Sequence, residues 1–162
     1  MGNTREGGDR DIPRPSDVVR ETVAFLESFR GPQILANYTL DKEIPSLAVG
    51  VSNLQRIVMN LYINACQAIG SKPGTITITL RTALSSGKRY VSLEVTDTGP
   101  GMDPETMTKI FLPEFTTKTN GQGLGLATTD DIVRKHGGSL RVRSSKGNGA
   151  AFTVLLPCLA IA

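Results

Sequence analysis

The chain of 162 residues has 39% hydrophobic side chains and a net charge of +3, which suits one domain with a buried core but not two. Its 18 lysine and arginine residues are scattered and form no basic block with interleaved aromatics, so nucleic-acid binding is not expected. The two cysteines, Cys66 and Cys158, lack metal-ligand spacing and predict reduced thiols in a cytoplasmic protein without a structural zinc site.

Neither end of the chain has the pattern of a signal peptide or a membrane span. Residues 1–11 are glycine-rich and charged, which predicts a disordered tail or an expression remnant, and residues 12–162 are expected to form the domain. The longest apolar stretch, Val154 to Ala162, contains a proline and is far shorter than the roughly 20 residues of a membrane span. We therefore expect no membrane contact by this chain.

The first 70 residues predict two helices around one strand. Ser16 is placed to cap a first helix that a Gly-Pro pair ends, and a strand is predicted from Gln33 to Leu40. Ser52 to Gln55 has the form of a capping box and is predicted to begin a long helix that ends near Gly70. The apolar stripe of the first helix comprises Val19, Val23, Leu26 and either Phe25 or Phe29.

The next segments predict a β-hairpin. Apolar and polar residues alternate from Thr75 to Leu80 and from Tyr90 to Thr96, and the turn-forming residues Ser85 to Lys88 lie between them. This alternation predicts an antiparallel pair with one solvent-facing side.

The remaining predicted elements complete one α/β layer structure. A short helix is expected from about Pro104 to Phe111, then an irregular segment, and then a helix from about Leu124 to His136 that ends at a glycine pair. Two closing strands are expected on either side of the turn Lys146 to Gly149. These proportions predict a two-layer sandwich in which about three helices cover one face of a mixed, largely antiparallel sheet.

One flank of the long helix carries amide side chains beside its apolar stripe. Asn60 and Asn64 are about one helical turn apart, asparagine is unfavourable inside helices, and a carboxamide oxygen is a hard ligand that suits Mg²⁺. A solvated helix edge is the alternative explanation of this flank. Its members are Asn53, Asn60, Asn64 and Gln67.

Asp97 ends the second hairpin strand on the same predicted face as Val95. Its carboxylate should therefore point into an apolar layer and need a hydrogen-bond donor. Either the exocyclic amino group of a purine or a local Asx turn or helix N-cap can supply that donor. Gly99 and Gly101 would let the backbone approach a flat base closely.

A glycine run precedes the last predicted helix. The backbone amides of Gly121, Gly123 and Gly125 meet the positive end of that helix, an arrangement that favours phosphate, although a flexible loop is the alternative. Thr116 to Lys118 adds hydroxyls and a cation in a segment without a regular period, which is typical of a lid.

Together these motifs resemble the ATP-binding catalytic domain of sensor histidine kinases, in the superfamily that includes gyrase-type topoisomerases, Hsp90 chaperones and mismatch-repair ATPases. Asn60 to Ala68 resembles the N box, Asp97 to Met102 the G1 box, Ile110 to Lys118 the F box and Gly121 to Leu126 the G2 box. Gln67 and the short lid are most similar to the nitrogen-regulator-type branch. The resemblance covers nearly the whole chain and implies a Bergerat ATP-binding fold.

The resemblance implies ATP and Mg²⁺ as cofactors and gives a role to each matched residue. Asp97 is expected to hold the adenine amino group and Asn64 the metal ion, and the residues expected to take part in catalysis are Asn64, Asn60 and Lys118. The expected nucleotide-binding residues are Asn60, Asn64, Asp97, Gly99, Gly101, Met102, Thr116, Thr117, Lys118, Gly121, Gln122, Gly123, Leu124, Gly125, Leu126 and Thr153.

The resemblance also implies partners. The only histidine, His136, is expected to lie at a helix C-terminus and receives no role in transfer from the family. The phosphoacceptor histidine is therefore expected on a dimerisation domain, in the same polypeptide or in another, with a response regulator downstream. The chain is expected in the cytoplasm, alone or as the cytosolic part of a larger sensor.

Three positions depart from the family pattern. Asn60 stands where gyrase, chaperone and mitochondrial-kinase relatives have a glutamate base, and because an amide takes no proton, hydrolytic or serine-kinase chemistry is disfavoured. Gln122 replaces a usual hydroxyl residue in the glycine run, and Ala150 replaces a usual hydroxyl residue after the closing turn. These two replacements keep open the alternative of a nucleotide-sensing or scaffold domain without transfer activity.

Overall fold

The computed structural model describes residues 13–112 and 124–159. The predicted tail, 1–11, and most of the F box and glycine run lie outside the described residues. The helices are α1 (Pro15–Leu26), α2 (Val51–Ile69), α3 (Pro104–Lys109) and α4 (Leu124–Lys135), with a 3₁₀ turn at Glu27–Phe29. The strands are β1 (Ile34–Leu40), β2 (Gly74–Ser85), β3 (Lys88–Asp97), β4 (Ser139–Ser144) and β5 (Ala150–Pro157).

The strands form one mixed five-stranded sheet in the order β1-β2-β3-β5-β4. β1 runs parallel to β2, whereas the β2–β3, β3–β5 and β4–β5 pairs are antiparallel. The register places Asp97, the last residue of β3, between Ile76 of β2 and Ala150 of β5. The predicted mixed, largely antiparallel sheet is confirmed.

Helices α1, α2 and α4 form the second layer. α2 packs on β2 and β3, α4 packs on β4 and β5, and α1 packs on α2. Leu93 and Val95 of β3 meet the apolar stripe of α2, which includes Ile57 and Leu61, and these four side chains are at most 1% exposed. The expected two-layer sandwich is therefore confirmed. Within the described ranges, no helix is both long and apolar enough to cross a bilayer.

The first helix begins differently from the prediction. Ser16 is not its cap: α1 starts at Pro15 after Arg14, no side chain caps it, and Ser16 is 3% exposed inside the first turn. Proline suits this first position because its missing N–H has no partner there in any helix. Phe25 and Phe29 are largely exposed and contact each other with ring centroids 5.6 Å apart, so neither joins the buried stripe.

The capping box predicted at Ser52 to Gln55 is also wrong. α2 begins one residue earlier, at Val51, and its N-cap is Gly50 with φ of +79° and no side-chain hydrogen bond. That backbone conformation favours glycine, and it turns the incoming chain into the helix without help from a side chain. The predicted end of the helix at Gly70 is confirmed.

The predicted β2–β3 hairpin is confirmed. Its two turn residues, Ser86 and Gly87, have φ of +51° and +75°, as a tight turn between twisted antiparallel strands requires. The hairpin carries the alternating pattern through to Asp97, and this places the carboxylate on the face covered by helices.

Candidate functional site

Several of the predicted motifs meet at one edge of the helix layer, where α2, the end of β3 and the first turn of α4 lie together. Asn60 of α2 donates a hydrogen bond from Nδ2 to the carbonyl oxygen of Gly125 in α4, at 3.3 Å. Gly99, which follows β3, packs against the backbone of Ala68 near the end of α2. The G2 box thus contacts the start of the N box and the G1 box contacts its end, although the three are far apart in sequence.

Asp97 is buried, with 3% of its surface exposed, on the inner face of β3. Its Oδ1 atom accepts a hydrogen bond from the amide of Gly99 at 2.8 Å. The Asx turn considered from the sequence is therefore present.

Gly99 allows the loop after β3 to touch α2. A Cβ atom at this position would lie 3.0 Å from the carbonyl oxygen of Ala68 and 2.9 Å from Oδ1 of Asp97. Real Cβ contacts are essentially never closer than this, so a side chain would push the loop away from the helix. Because Gly99 and Ala68 are both small, the loop after Asp97 lies close to α2, the helix that carries Asn60 and Asn64.

The turn between β4 and β5 supports this loop through Ser144. Its Oγ atom accepts a hydrogen bond from the Met102 amide at 2.9 Å and donates one to the carbonyl oxygen of Gly149 at 2.6 Å. No local sequence pattern marks Ser144 as a bridging hydroxyl, because its partner at Met102 is 42 residues away.

Gly101 completes the same support. It has φ of +71°, and a Cβ atom there would overlap the carbonyl oxygen of Ser145. One residue earlier, the carbonyl oxygen of Pro100 accepts a hydrogen bond from the Gly147 amide at 2.6 Å. The loop that follows Asp97 is therefore held by backbone contacts with the β4–β5 turn.

Asn60 is the amide of the α2 flank whose contacts are best defined. It is half-buried, and its Nδ2 atom donates to Oγ1 of Thr129 at 3.1 Å as well as to Gly125. Asn64 is half-buried about one turn further along α2, and Gln67 is exposed. Asn53 donates from Nδ2 to the carbonyl oxygen of Val49 at 3.1 Å, so it secures the start of α2.

Several expected nucleotide-binding residues cannot be placed by the structure. Thr116, Thr117, Lys118, Gly121, Gln122 and Gly123 lie outside the described residues. Leu124 is the first residue of α4, and Leu126 is partly buried against the hydrophobic core. Met102 is likewise partly buried against the core.

Thr153 is not part of this group of residues, contrary to the expectation. It pairs with Glu94 across the β3–β5 ladder, and its Oγ1 atom donates to Oε2 of Glu94 at 3.1 Å. Phe152 and Val154 on either side of it are the buried, helix-facing residues, so period two turns Thr153 to the opposite sheet face. There it lines a groove of about 400 Å³ with residues that include Arg141.

His136 lies at the C-terminus of α4, as expected. Its Nδ1 atom is 2.8 Å from the carbonyl oxygen of Ile132, within its own helix. A ring nitrogen in this position can hydrogen-bond to one of the last carbonyl oxygens of the helix, which have no partner within the helix.

Neither cysteine has the environment of a reactive thiol. Burial raises the pKa of Cys66 and of Cys158, which keeps both thiols protonated near neutral pH. No group of three or more His, Cys, Asp or Glu side chains within residues 13–112 and 124–159 could hold a metal ion.

Comparison with known proteins agrees with this geometry. Residues 50–160 match the family described as histidine kinase-, DNA gyrase B-, and HSP90-like ATPase. The chain belongs to this family, which confirms the resemblance expected from the motifs and, with it, the use of ATP.

The curated relatives include sensor histidine kinases. The sensor histidine kinase ZraS of Salmonella typhi is 41% identical over 90% of this chain and 30% of its own length. The sensory histidine kinase/phosphatase NtrB of Salmonella typhimurium is 31% identical over 86% of this chain and 42% of its own length. The chain thus spans about a third of ZraS and less than half of NtrB.

A solved structure supports the same assignment of fold. The catalytic domain of histidine kinase ThkA, in a nucleotide-free form, superposes with a TM-score of 0.71 and 32% identity, over 87% of this chain and 90% of that one. The α/β sandwich described above is therefore the fold of a histidine kinase catalytic domain.

Proposed function

We propose that this chain binds ATP with Mg²⁺ and transfers the γ-phosphoryl group to a histidine on a dimerisation domain. The observation that carries the proposal is the placement of Asp97, a carboxylate 3% exposed at the edge where the loop from β3 touches α2. The family and its sensor-kinase relatives support the same function.

The residues around Asp97 fit an adenine base. The carboxylate accepts from the Gly99 amide through Oδ1, and a group that only accepts hydrogen bonds matches the donating exocyclic amino group of a purine. The loop from 99 to 102 is held by the β4–β5 turn, so the pocket edge is fixed before a nucleotide arrives. A preformed edge lowers the ordering cost of binding.

The amides of α2 fit a magnesium ion held partly by the nucleotide. Mg²⁺ binds through few protein ligands plus phosphate oxygens and water, and carboxamide oxygens are suitable hard ligands. We propose that Asn64 binds the ion and that Asn60 assists it. Lys118 and the glycine run from Gly121 to Gly125 would then neutralise and orient the phosphates.

The chemistry follows from the absence of a base at Asn60. Transfer breaks the bond between the γ-phosphorus and its bridging oxygen, ADP leaves, and a bond forms to the attacking nitrogen of imidazole. A neutral imidazole already has a lone pair, so it needs no base, whereas water or serine does. The domain supplies positioning and charge stabilisation, which account for most of the catalysis of phosphoryl transfer.

The acceptor is proposed to lie on another domain. His136, the single histidine of the chain, is engaged at the end of α4. We propose a dimerisation domain as acceptor, in the same polypeptide or in a partner, with a response regulator downstream. Residues 12–162 would then be the catalytic domain of a cytosolic kinase region, and 1–11 a tail outside it.

A second candidate is a nucleotide-sensing or scaffold domain. Ala150 favours it, because this residue is paired with Asp97 across β3 and β5 and places a methyl group where relatives of the family usually have a hydroxyl. Gln122 favours it from the sequence alone.

Radiolabelled ATP with a dimerisation domain that carries the acceptor histidine separates the two functions. A kinase gives acid-labile phosphohistidine on the acceptor, and Asn64→Asp binds ATP but loses this product. A scaffold gives saturable nucleotide binding without any label on the acceptor. Acid-stable label would instead indicate a serine or threonine kinase and contradict the role of Asn60.

A further inference from the structure

Thr129 is a fully buried polar residue on α4, with 0% of its surface exposed. Its hydroxyl donates a hydrogen bond to the carbonyl oxygen of Gly125, four residues earlier, at 2.7 Å. Threonine in a helix often bonds to its own backbone in this way. This contact alone would make Thr129 a local feature of the first turn of α4.

A second contact extends beyond the helix. Oγ1 of Thr129 lies 3.1 Å from Nδ2 of Asn60 on α2, and the carbonyl oxygen of Gly125 lies 3.3 Å from the same nitrogen. Thr129, Gly125 and Asn60 therefore form a closed three-membered hydrogen-bond arrangement between α2 and α4. Both of these Asn60 contacts belong to the start of the helix that follows the glycine run.

The chemistry of the arrangement determines which way the Asn60 amide points. A carbonyl oxygen only accepts, so the atom that Asn60 turns towards Gly125 must be its nitrogen. The threonine hydroxyl has one hydrogen, and Gly125 receives it, so Oγ1 can only accept from Asn60. Neither contact uses the carboxamide oxygen of Asn60. A flipped amide would set that oxygen against the Gly125 carbonyl, and it could bond to Thr129 only if the hydroxyl gave up Gly125.

We propose that Thr129 is a positioning residue that fixes the Asn60 amide with its nitrogen towards α4 and its oxygen available to the magnesium–nucleotide complex. The proposal rests on the proposed function for the ligand, but the orientation itself is a property of the free protein. It also gives α4, and through it the end of the glycine run, a direct contact with the N box.

The orientation can be tested without nucleotide. Thr129→Val keeps nearly the same shape and removes the hydroxyl, Thr129→Ser keeps the hydroxyl, and Thr128→Val is the control one residue away on the same helix, at a half-buried position. The side-chain amide signal of Asn60, assigned by its loss in Asn60→Asp, is followed by ¹⁵N NMR. We expect it to move and exchange faster with solvent in Thr129→Val only. An unchanged signal in folded Thr129→Val would overturn the proposal.

The consequence for the ligand is tested by ATP titration with Mg²⁺ and with EDTA. In Thr129→Val we expect the affinity for ATP in EDTA to stay close to wild type. The increase in ATP affinity that Mg²⁺ produces should fall about fivefold, which corresponds to the loss of one hydrogen bond by Asn60. Thr129→Ser should restore the gain, and Thr128→Val should not alter it. Equal losses with and without Mg²⁺ would indicate a purely structural residue and contradict the proposal.

Failure of the proposed function gives a different pattern. If wild type binds no nucleotide, the titrations of all variants are flat, while the NMR measurement still reports on the Asn60 amide. If Thr129→Val does not fold, Thr129→Ser must still show the wild-type Asn60 signal, and a shifted signal there would overturn the role of the hydroxyl.

Discussion

Gly149 lies so close to Asp97 that a Cβ atom on the glycine would overlap the carbonyl oxygen of Asp97. The turn between β4 and β5 therefore packs directly on the backbone that presents the buried carboxylate. Because Gly149 also has φ of +68°, no other residue fits this contact without strain.

Replacement of Gly149 by alanine should destabilise the domain by about 3 kcal/mol, through steric overlap added to backbone strain. Gly147→Ala is the matched control: Gly147 has φ of +86°, but a Cβ atom added there would have nothing within 4 Å, so strain alone should cost about 1 kcal/mol. Urea unfolding measures both. Equal losses of unfolding free energy would mean that the contact with Asp97 contributes nothing.

Ser144→Ala should weaken nucleotide binding as well as stability. The substitution leaves the Met102 amide without its acceptor and should cost about 1 to 2 kcal/mol of unfolding free energy. We also expect several-fold weaker ATP binding, because the loop that follows Asp97 loses a support. The exposed neighbour Ser145 provides the control: its hydroxyl accepts an exposed hydrogen bond from Asn148 at 2.8 Å, so Ser145→Ala should change both quantities much less. Wild-type affinity in Ser144→Ala would show that this loop needs no bridging hydroxyl.

The stability of the domain should fall in alkali because of Tyr62. Burial raises the pKa of its phenol from 10.0 to about 12, so the neutral phenol is favoured in the folded state. A raised folded-state pKa contributes stability that is fully present below about pH 10 and is lost as the pH rises towards 12.

Tyr62→Phe tests this pH dependence. The hydroxyl of Tyr62 lies near that of Tyr38 but makes no hydrogen bond of good geometry within the described residues, so its removal should cost little at pH 7. Chemical denaturation of the variant should show a smaller decline between pH 10 and 12 than wild type. An identical decline in Tyr62→Phe would assign the alkaline sensitivity to other groups.

The alternation of apolar and polar residues predicts the strands of the sheet well, and it predicts that the Asp97 side chain is buried. The alternation in β3 correctly places Asp97 with Val95 on the buried face, and the same rule applied to β5 would have turned Thr153 away with Glu94. The expectation for Thr153 comes from the family resemblance and not from the alternation around it, and the structure places this residue on the sheet face opposite Asp97.

Features that depend on backbone conformation or distant partners were not predictable in this way. The helix starts were misplaced because Pro15 and Gly50 set the backbone there, not the hydroxyls of Ser16 and Ser52. Ser144 and Thr129 were missed because the partners that give them a role lie 42 and 69 residues away.

We propose that Asp97 forms the base-recognition site of an ATP-binding pocket, and calorimetric titration of ATP would decide whether it does. Wild type and Asp97→Asn are titrated with ATP or a non-hydrolysable analogue, with and without Mg²⁺, after both are shown to be folded. We predict saturable binding to wild type and its loss in Asp97→Asn, because an amide nitrogen would face the adenine amino group. Undiminished binding to folded Asp97→Asn, or none to folded wild type, would contradict the account.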